Sequence, residues 1–211
     1  GSQPISSSTL KKKSNLKKYS LDLYECKRCK LIQLSKVAPV DQMYGDSYGY
    51  WTGLSNLMID HMKKKVQWLL KSKRLKRNSN ILDIGCSDPT FLKLIKNIGK
   101  KNELFAIDPS SEKFRTSFQK NKINLIVDFF SKKKVEIYQK ENNLEKKNFS
   151  LISSFAMFYD IENPNSFCKD INCLLTKNGI WIVEFSYFPL LLQNLTFDQI
   201  NHEHVTYYTI T

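Results

Sequence analysis

The sequence predicts an α/β fold, in which a parallel sheet carries helices on both faces. Short apolar runs alternate with helical segments between residues 81 and 186, and this βαβ alternation is typical of a doubly wound sheet. The first run ends in Asp83-Ile-Gly85, and the second ends in Asp108. A glycine turn after one buried strand and an acid after the next indicate a nucleotide-type cofactor site.

The predicted elements follow one another in a regular order. An amphipathic helix over 54–70 comes first, because its apolar residues recur at helical spacing on one face. Five strands are then predicted at 81–84, 103–107, 123–127, 150–155 and 180–186. The connecting helices are expected from about 89 to Gly99, from Ser110 or Ser111 onward, at 134–140 and at 164–175, with a turn at 176–179.

Composition limits the class of protein. The 211 residues carry a net charge of +13, but only four of the 33 basic residues are arginines, whereas base-reading sites depend on arginine and stacking aromatics. We therefore interpret the charge as a solvated lysine surface and expect neither a nucleic-acid nor a membrane partner. No apolar run reaches the roughly 18 residues of a membrane span. The odd number of cysteines, five, indicates a reducing cytoplasm.

The N-terminal region contains half of a zinc ribbon. Two short strand-like runs, 21–24 and 31–34, flank Cys26-Lys-Arg-Cys29. Such a knuckle supplies two of the four ligands of a tetrahedral structural zinc. Since no further His or Cys lies nearby, either a partner knuckle precedes this segment or the pair is two ordinary thiols in a hairpin turn, and the residues leave both interpretations open.

The motif around Gly85 favours a cofactor without phosphates. Its single glycine cannot form the phosphate cradle of a dinucleotide site, which makes S-adenosylmethionine the better fit. Asp108 follows Gly85 at close to the roughly 20-residue spacing that brings a carboxylate to a ribose. Asp83 and the backbone around Gly85 are expected to hold the cationic methionine end. A glycine after a strand is also a common turn, so the interpretation depends on the paired acid.

Six segments, taken in order, resemble the nucleotide-sugar C-methyltransferases. They are 21–34, 43–50, 80–91 with its following acid, 128–131, 156–160 and 201–208. Members of that family combine an N-terminal zinc-binding domain with two C-x-x-C knuckles, a Rossmann-like class I methyltransferase domain that binds S-adenosylmethionine, and a C-terminal domain that helps enclose the sugar nucleotide. The resemblance therefore implies S-adenosylmethionine and a structural zinc as cofactors and a nucleotide-linked ketosugar as the substrate.

The resemblance also implies roles for individual residues. His204 takes the position of the general base, Glu203 would orient the sugar or tune the base, and Tyr48 would hydrogen-bond the substrate. Substrate contacts are implied for Tyr44, Tyr50, Asn201 and His202. Zinc ligation is implied for Cys26 and Cys29. The expected cofactor-binding residues are Asp83, Gly85, Ser87, Asp88, Asp108, Pro109, Asp128, Phe129, Phe130, Ser154 and Ala156.

Domain boundaries follow from the same comparison. We expect a partial zinc-binding module in 1–45, a helical connector and substrate lid in 46–78, a methyltransferase domain in 79–200 and the start of a C-terminal substrate region in 201–211. By that comparison the chain is a fragment at both ends, and its sheet lacks the final strands.

Other interpretations are open from the residues alone. Asp128-Phe-Phe130 could be a strand end with a capping acid, and His202 with His204 could bind a metal ion from one face of an extended segment. The protein could instead methylate RNA or another small molecule, or be a non-catalytic zinc-ribbon module with a degenerate cofactor fold. Residues expected to take no part in chemistry are a surface His61 and two buried thiols, Cys168 and Cys173.

Overall fold

The computed structural model describes residues 2–4, 18–45, 48–75, 78–98, 102–145 and 147–210. The strands within them are β1 (Ser2–Pro4), β2 (Lys18–Ser20), β3 (Leu23–Glu25), β4 (Ile32–Leu34), β5 (Asn80–Ile84), β6 (Glu103–Ile107), β7 (Asn124–Ile126), β8 (Phe149–Phe155), β9 (Leu175–Glu184) and β10 (Thr206–Tyr207). The α-helices are α1 (Val40–Met43), α2 (Asn56–Lys71), α3 (Thr90–Lys96), α4 (Arg115–Lys120), α5 (Lys132–Glu141), α6 (Pro164–Leu174) and α7 (Phe188–Gln193). None of these helices has the length and apolar character needed to cross a bilayer.

Strands β5 to β9 form one parallel sheet in the order β7-β6-β5-β8-β9. The order reverses at β5, which has β6 on one side and β8 on the other. Ligands bind at this kind of crevice in open α/β sheets, outside the carboxyl ends of the strands. The five predicted strands and the doubly wound arrangement are thus confirmed.

Two apolar cores cover the two faces of the sheet. Ile81, Leu92 and Phe118 are fully buried in the core on the side of α2, α3 and α4. Leu82 and Phe149 are fully buried in the core against α5 and α6. Neighbouring residues of β5 therefore point into opposite cores, as the two-residue period of a strand requires. Helices hold the sheet from both sides and leave its carboxyl edge open for a site.

Two element boundaries differ from the sequence prediction. Helix α3 ends at Lys96, ahead of Gly99, which lies outside the described residues. The turn predicted at 176–179 is instead a bulge within β9, because Leu175 pairs with Phe149 while Ile180 pairs with Leu151. Strand β9 is at the edge of the sheet, where irregular pairing of this kind is tolerated.

The thiols of α6 differ in exposure. Cys168 is partly buried against the core beneath the helix, whereas Cys173 is exposed. The prediction of a buried thiol was therefore wrong at Cys173. The two residues are five positions apart, which places them on different sides of an α-helix.

The N-terminal knuckle and the C-terminal segment form one small sheet. Strands β3 and β4 make an antiparallel hairpin, and β10 pairs with the other side of β4. The N–H of Leu34 donates to the carbonyl of Val205, whose own N–H donates to the carbonyl of Tyr159, at 2.9 Å each. The last described residues are therefore attached both to the N-terminal hairpin and to the segment after β8.

An ion-paired cluster attaches α2 to the end of β9. His61 Nε2 lies 2.9 and 3.0 Å from the two carboxylate oxygens of Glu184, and Lys65 pairs with the same carboxylate. Residues four apart share one face of a helix, so His61 and Lys65 both face the strand end. His61 lies at the surface as expected, with 38% of its side chain exposed, and it also makes this contact.

This cluster makes the stability of the fold depend on pH. Burial raises the pKa of Glu184, but the hydrogen bonds from Lys65 and His61 outweigh burial, and the net pKa lies below its ordinary value. A carboxylate of this kind stabilises the fold above its unfolded-state pKa and loses that contribution as the pH falls through its folded-state pKa.

We expect Glu184→Gln to lower the free energy of unfolding by about 1–2 kcal/mol at pH 7, because a neutral amide makes weaker hydrogen bonds than a carboxylate to Lys65 and His61. The difference from wild type should shrink as the pH is lowered from about 4.5 towards 3. Urea unfolding across this range provides the measurement, with Glu112→Gln in an exposed pair with Arg115 as the control. A loss of equal size at every pH would contradict the ionic origin of the effect.

Candidate active site

A cavity of about 450 Å³ opens at the carboxyl ends of β5, β6 and β8. Its wall includes the strand-end residues Asp83, Gly85, Asp108 and Ala156, with apolar and aromatic side chains around them. A volume of this size and a mostly apolar wall with a few polar groups are typical of small-molecule sites. The cavity thus lies where the strand order reverses.

The backbone around the cavity adopts uncommon conformations. Gly85 has a φ of 67°, and a Cβ at this position would lie 2.8 Å from Cγ of Met157. Ser87 (φ 57°) and Ala156 (φ 51°) are also left-handed, at a cost of the order of 1–2 kcal/mol each. Such conformations persist where the surrounding structure enforces them, and they concentrate at ligand sites.

Asp108 joins the ends of β5 and β6. Its Oδ2 accepts a hydrogen bond from the N–H of Ser87 at 2.9 Å, and its Oδ1 accepts one from the N–H of Ser110 at 2.6 Å. Burial raises the pKa of this carboxyl, while the N–H groups of Ser110 and Ser87 favour its charged form. The carboxylate therefore lines the cavity and also faces the Gly85 turn, the arrangement expected from the spacing.

Asp83 lies beneath the same turn. The hydroxyl of Ser153 donates to its Oδ1 at 2.7 Å. Burial raises the pKa of Asp83 to about 7 in spite of this hydrogen bond, and the charges of Asp108 and Asp88 add to the effect. Near neutral pH the carboxyl is divided between its protonated and ionised forms, and a cation bound beside it would favour the ionised form.

Five further residues expected at the cofactor line the cavity: Ser87, Pro109, Phe129, Phe130 and Ala156. Asp88, Asp128 and Ser154 are not part of its wall. The carboxylate of Asp88 accepts hydrogen bonds from the N–H groups of Gly53 at 2.7 Å and Thr90 at 2.9 Å. Asp88 therefore binds the first N–H of α3 and also holds the segment before α2 in place.

Asp128 and Ser154 point away from the cavity for separate reasons. Asp128 pairs with Lys134 at the start of α5. The hydroxyl of Ser154 accepts a hydrogen bond from the indole N–H of Trp181 at 2.8 Å. A place near the end of a strand brings a residue close to the site, but the alternation of side chains along the strand decides whether it faces the ligand. Cofactor contacts of these two side chains stay predictions.

Three tyrosines of the segments 44–45 and 48–54, here called the tyrosine loop, close one side of the cavity: Tyr44, Tyr48 and Tyr50. The Ser87 hydroxyl donates to the carbonyl of Tyr50 at 3.0 Å, and the Ser110 hydroxyl accepts from the N–H of Gly45 at 3.2 Å. Lys113 donates to the carbonyl of Tyr48. Sequence reasoning missed Ser110 and Lys113, since contacts between distant loops leave no signal in local spacing.

The C-terminal segment meets the tyrosine loop. Asn201 Oδ1 accepts hydrogen bonds from the N–H groups of Glu203 at 2.9 Å and His204 at 3.1 Å. The hydroxyl of Tyr48 donates to Glu203 Oε2 at 3.0 Å. The fold thus brings together two residues, 155 positions apart, that the resemblance assigned to one site. Tyr48 lines the cavity, whereas Asn201, Glu203 and His204 lie outside its wall.

One tautomer is set for the ring of His204. Nδ1 lies 2.7 Å from the carbonyl oxygen of Gln199, which can only accept, so the hydrogen is on Nδ1 and the free lone pair is on Nε2. Burial lowers the pKa of His204, although the Gln199 carbonyl opposes this effect. The ring packs against Tyr159 with centroids 4.2 Å apart. Near neutral pH the residue is therefore a neutral proton acceptor.

His202 does not share this environment. It is buried, and its ring lies edge-on to Tyr19 at a centroid distance of 6.3 Å. Over the described ranges, no three His, Cys, Asp or Glu residues are grouped to hold a metal ion. The alternative of a metal bound by His202 and His204 lacks a third ligand there, and Nδ1 of His204 is already bonded to Gln199.

The Cys26–Cys29 turn closes the β3–β4 hairpin. The N–H of Cys26 donates to the carbonyl of Leu31, and the N–H of Lys30 donates to the carbonyl of Cys26, both at 2.9 Å. Backbone hydrogen bonds from Cys29 and Arg28 lower the pKa of Cys26. This favours the thiolate form that zinc requires, but the residues seen in the structure supply two ligands, half of a tetrahedral set.

Asp160 is a wall residue that sequence reasoning left without a role. It ends a short 3-10 helix after β8 and lines the cavity. Although it lies within the 156–160 segment, a single sequence does not distinguish it from a capping acid. Its neighbours, Tyr44 and Glu203, come from parts of the chain that only the fold brings together.

Comparison with known proteins identifies relatives of the chain. A family described as "Methyltransferase domain" matches residues 56–211. The C-methyltransferase NovU of Streptomyces niveus is 24% identical over 192 residues, which are 91% of this chain and 44% of NovU. The chain therefore spans less than half the length of this curated relative.

Solved structures of other proteins are similar to the chain. The PH0226 protein from Pyrococcus horikoshii OT3 has a TM-score of 0.54 at 19% identity, over 70% of this chain and 67% of that chain. The plantazolicin methyltransferase BpumL, in complex with a pentazolic desmethylPZN analog and SAH, has a TM-score of 0.48 at 22% identity, over 65% of this chain and 50% of that chain. The family match includes the whole parallel sheet, and it confirms the fold and the methyltransferase class predicted from the sequence. The chain belongs to the methyltransferase-domain family and has the class I, Rossmann-like fold of the S-adenosylmethionine-dependent methyltransferases.

Proposed function

We propose that the protein is an S-adenosylmethionine-dependent C-methyltransferase that methylates a carbon beside the ketone of a nucleotide-linked deoxyketosugar. Support comes from the family, from the match to a protein named as a C-methyltransferase over 91% of this chain, and from the ordered motifs of the sequence. The observation that carries the proposal is the hydrogen bond of 3.0 Å between Tyr48 and Glu203. Both residues are expected to act on the substrate. The bond lies beside the cavity whose wall includes Asp83, Gly85 and Asp108, which are expected to bind the cofactor.

S-adenosylmethionine, when bound, supplies a methyl group on a positively charged sulfur. Asp108 is proposed to accept from the ribose hydroxyls, because its two backbone donors leave part of the four lone-pair sites of a carboxylate free. Asp83 is proposed to face the cationic methionine end. The apolar faces of Phe129 and Phe130 suit the adenine ring. The wall residues Gly85, Ser87, Pro109 and Ala156 would shape the pocket between these groups.

Methylation of carbon requires removal of the proton beside the ketone. We propose that Nε2 of His204 accepts this proton, and that the C–H electron pair becomes the enolate, which then forms the new bond to the methyl carbon while the sulfur keeps the electrons of the broken bond. His204 lies outside the cavity wall, so the proposed role requires that the sugar reach its ring from the cavity. Glu203 would stabilise the imidazolium that results.

The remaining substrate residues differ in position. Tyr44 and Tyr50 are on the cavity wall and are proposed to contact the sugar directly. Asn201 and His202 lie outside the wall and are proposed to act through the position of Glu203 and His204, since Asn201 holds both backbone N–H groups.

We expect Asp108→Asn to weaken S-adenosylmethionine binding about 10- to 100-fold, because a hydrogen bond to a charged acceptor contributes about 1.5–3 kcal/mol. Calorimetric titration provides the dissociation constant, and circular dichroism checks that the variant is folded. Asp60→Asn, at an exposed residue paired with Lys63, is the matched control and should bind as wild type does. A folded Asp108→Asn protein with unchanged affinity would remove Asp108 from the cofactor site.

We expect His204→Ala to reduce methyl transfer to a nucleotide-linked 4-ketosugar by a factor of about 10² to 10⁴, while the affinity for the cofactor stays the same. Added imidazole should restore part of the rate. In the wild type, kcat/KM should fall only below about pH 6.5, because burial lowers the pKa of His204 and the protonated ring cannot accept a proton.

Two outcomes would redirect this proposal. Unchanged turnover in His204→Ala would exclude this residue as the base. Methyl transfer to RNA that survives the same substitution, in a protein retained on heparin, would favour the RNA methyltransferase.

We also propose that Cys26 and Cys29 are two of the four ligands of a structural zinc, whose other ligands lie outside the described knuckle. Two thiolates alone bind zinc weakly. Residues 1–211, purified and dialysed, should therefore contain well below one zinc per chain by elemental analysis. Stoichiometric zinc that Cys26→Ser removes would mean that the chain itself completes the site.

A further inference from the structure

The proposed substrate end of the cavity contains a carboxyl group, that of Asp160, for which the described residues supply no cationic partner. Asp160 lines the cavity, and its Oδ1 is inaccessible to solvent and has no hydrogen bond of good geometry. The groups that act on its charge are the carboxylate of Glu203 and the hydroxyl of Tyr44. No lysine or arginine is among them, although the chain has 33 basic residues. An unpaired buried polar oxygen of this kind requires an explanation.

The two tyrosine hydroxyls near Asp160, those of Tyr48 and Tyr44, differ in their hydrogen bonding. Tyr48 donates to Glu203 at 3.0 Å, so its hydrogen is committed. The Tyr44 hydroxyl faces Asp160 from the cavity wall, is equally inaccessible to solvent, and makes no hydrogen bond of good geometry. The Tyr44 hydroxyl and the Asp160 carboxyl therefore lie side by side on the cavity wall, and their contact leaves donor and acceptor capacity on both groups for a ligand.

Electrostatics favours the uncharged form of Asp160. Burial raises the pKa of this carboxyl well above its ordinary value, and the negative charge of Glu203 raises it further, while the Tyr44 hydroxyl opposes both. A protonated carboxyl both donates and accepts. An anionic ligand group would be repelled by Glu203 and would lose its hydration here, whereas a neutral hydroxyl or carbonyl would satisfy the unused groups.

We propose that Asp160 and Tyr44 form a neutral hydrogen-bonding subsite that binds a hydroxyl or carbonyl oxygen of the methyl acceptor, and that Asp160 thereby selects an uncharged, oxygen-rich ring. The identity of the acceptor as a ketosugar rests on the proposed function. The subsite deepens that proposal, because it assigns the sugar ring to this end of the cavity and excludes the phosphates from it.

The first experiment measures KM and kcat for the nucleotide-linked 4-ketosugar in two variants of the full chain. Asp160→Asn keeps a neutral donor and acceptor, and its KM should stay within about threefold of wild type. Asp160→Leu removes both, and its KM should rise about tenfold or more. The dissociation constant of S-adenosylmethionine should not change in either variant, and Asp60→Asn is the control. Equal KM values in Asp160→Leu and wild type would overturn the subsite.

The second experiment tests the neutral carboxyl without any substrate. The titratable groups that face Asp160 are Glu203, Tyr44, Tyr48, Tyr159 and Tyr207. An acid whose folded-state pKa is raised contributes stability at low pH and loses it as the pH rises towards that pKa. The urea concentration at the unfolding midpoint should therefore decrease in the wild type, relative to Asp160→Asn, as the pH is raised from about 4.5 to 7.

The two experiments separate the two proposals. A midpoint difference that stays constant or rises with pH would show an ionised, partnered carboxylate and would overturn the subsite whatever the substrate is. The wild type could show the expected decrease in urea midpoint and yet neither bind nor methylate the ketosugar. That result would reject the ketosugar as the substrate and would support the neutral subsite.

Discussion

The hydrogen bonds of the Asp108 carboxylate are the constraint on which the rest of the site depends. Parallel strands end at one edge of the sheet, and the loops that follow them need partners for their backbone groups. Asp108 joins two of these loops by accepting from Ser87 and Ser110, and the Ser111 hydroxyl adds a link by donating to the Ser87 carbonyl at 2.6 Å. Because the carboxylate is buried, its removal would leave two N–H groups without an acceptor. The tyrosine loop bonds to Ser87 and Ser110, so the substrate side is anchored on the cofactor side.

The substrate side is assembled from distant parts of the chain. The tyrosine loop, the segment after β8 and the residues before β10 meet there, and none of them contributes a core of its own. The ring contact between Tyr159 and His204 and polar contacts such as Tyr48 to Glu203 hold these segments together. Pairing of β10 with β4 then ties the same region to the cysteine hairpin. The segment that carries His204 is therefore joined to that hairpin by a strand ladder.

Local pattern predicted the sheet and the cofactor edge, because both depend on spacing along the chain. Gly85 and Asp108 could be paired from sequence, since a turn after one strand and an acid after the next must meet at one edge. Ser154 and Asp128 could not be excluded in that way, because side-chain direction at a strand end depends on the exact register. The contact of His61 with Glu184 and the role of Asp160 had no local signal at all. Both depend on neighbours more than 40 residues away, Glu184 for His61 and Tyr44 and Glu203 for Asp160.

Burial shifts the pKa values of the proposed base, His204, and of the proposed acid, Asp160, in the directions that the chemistry needs. It lowers the pKa of His204 and raises that of Asp160, and so favours the neutral form of both groups. A neutral imidazole is needed to accept the proton, and a neutral carboxyl beside Tyr44 can donate to the oxygen on which the enolate charge develops. In the proposed mechanism Glu203 would stabilise the imidazolium, because charges act strongly in a region of low dielectric. A lysine at this place would repel the imidazolium and weaken the base. The excess of lysine in this chain therefore suits its solvated surface, and the chemistry proposed for the cavity depends on its absence from the groups around Asp160.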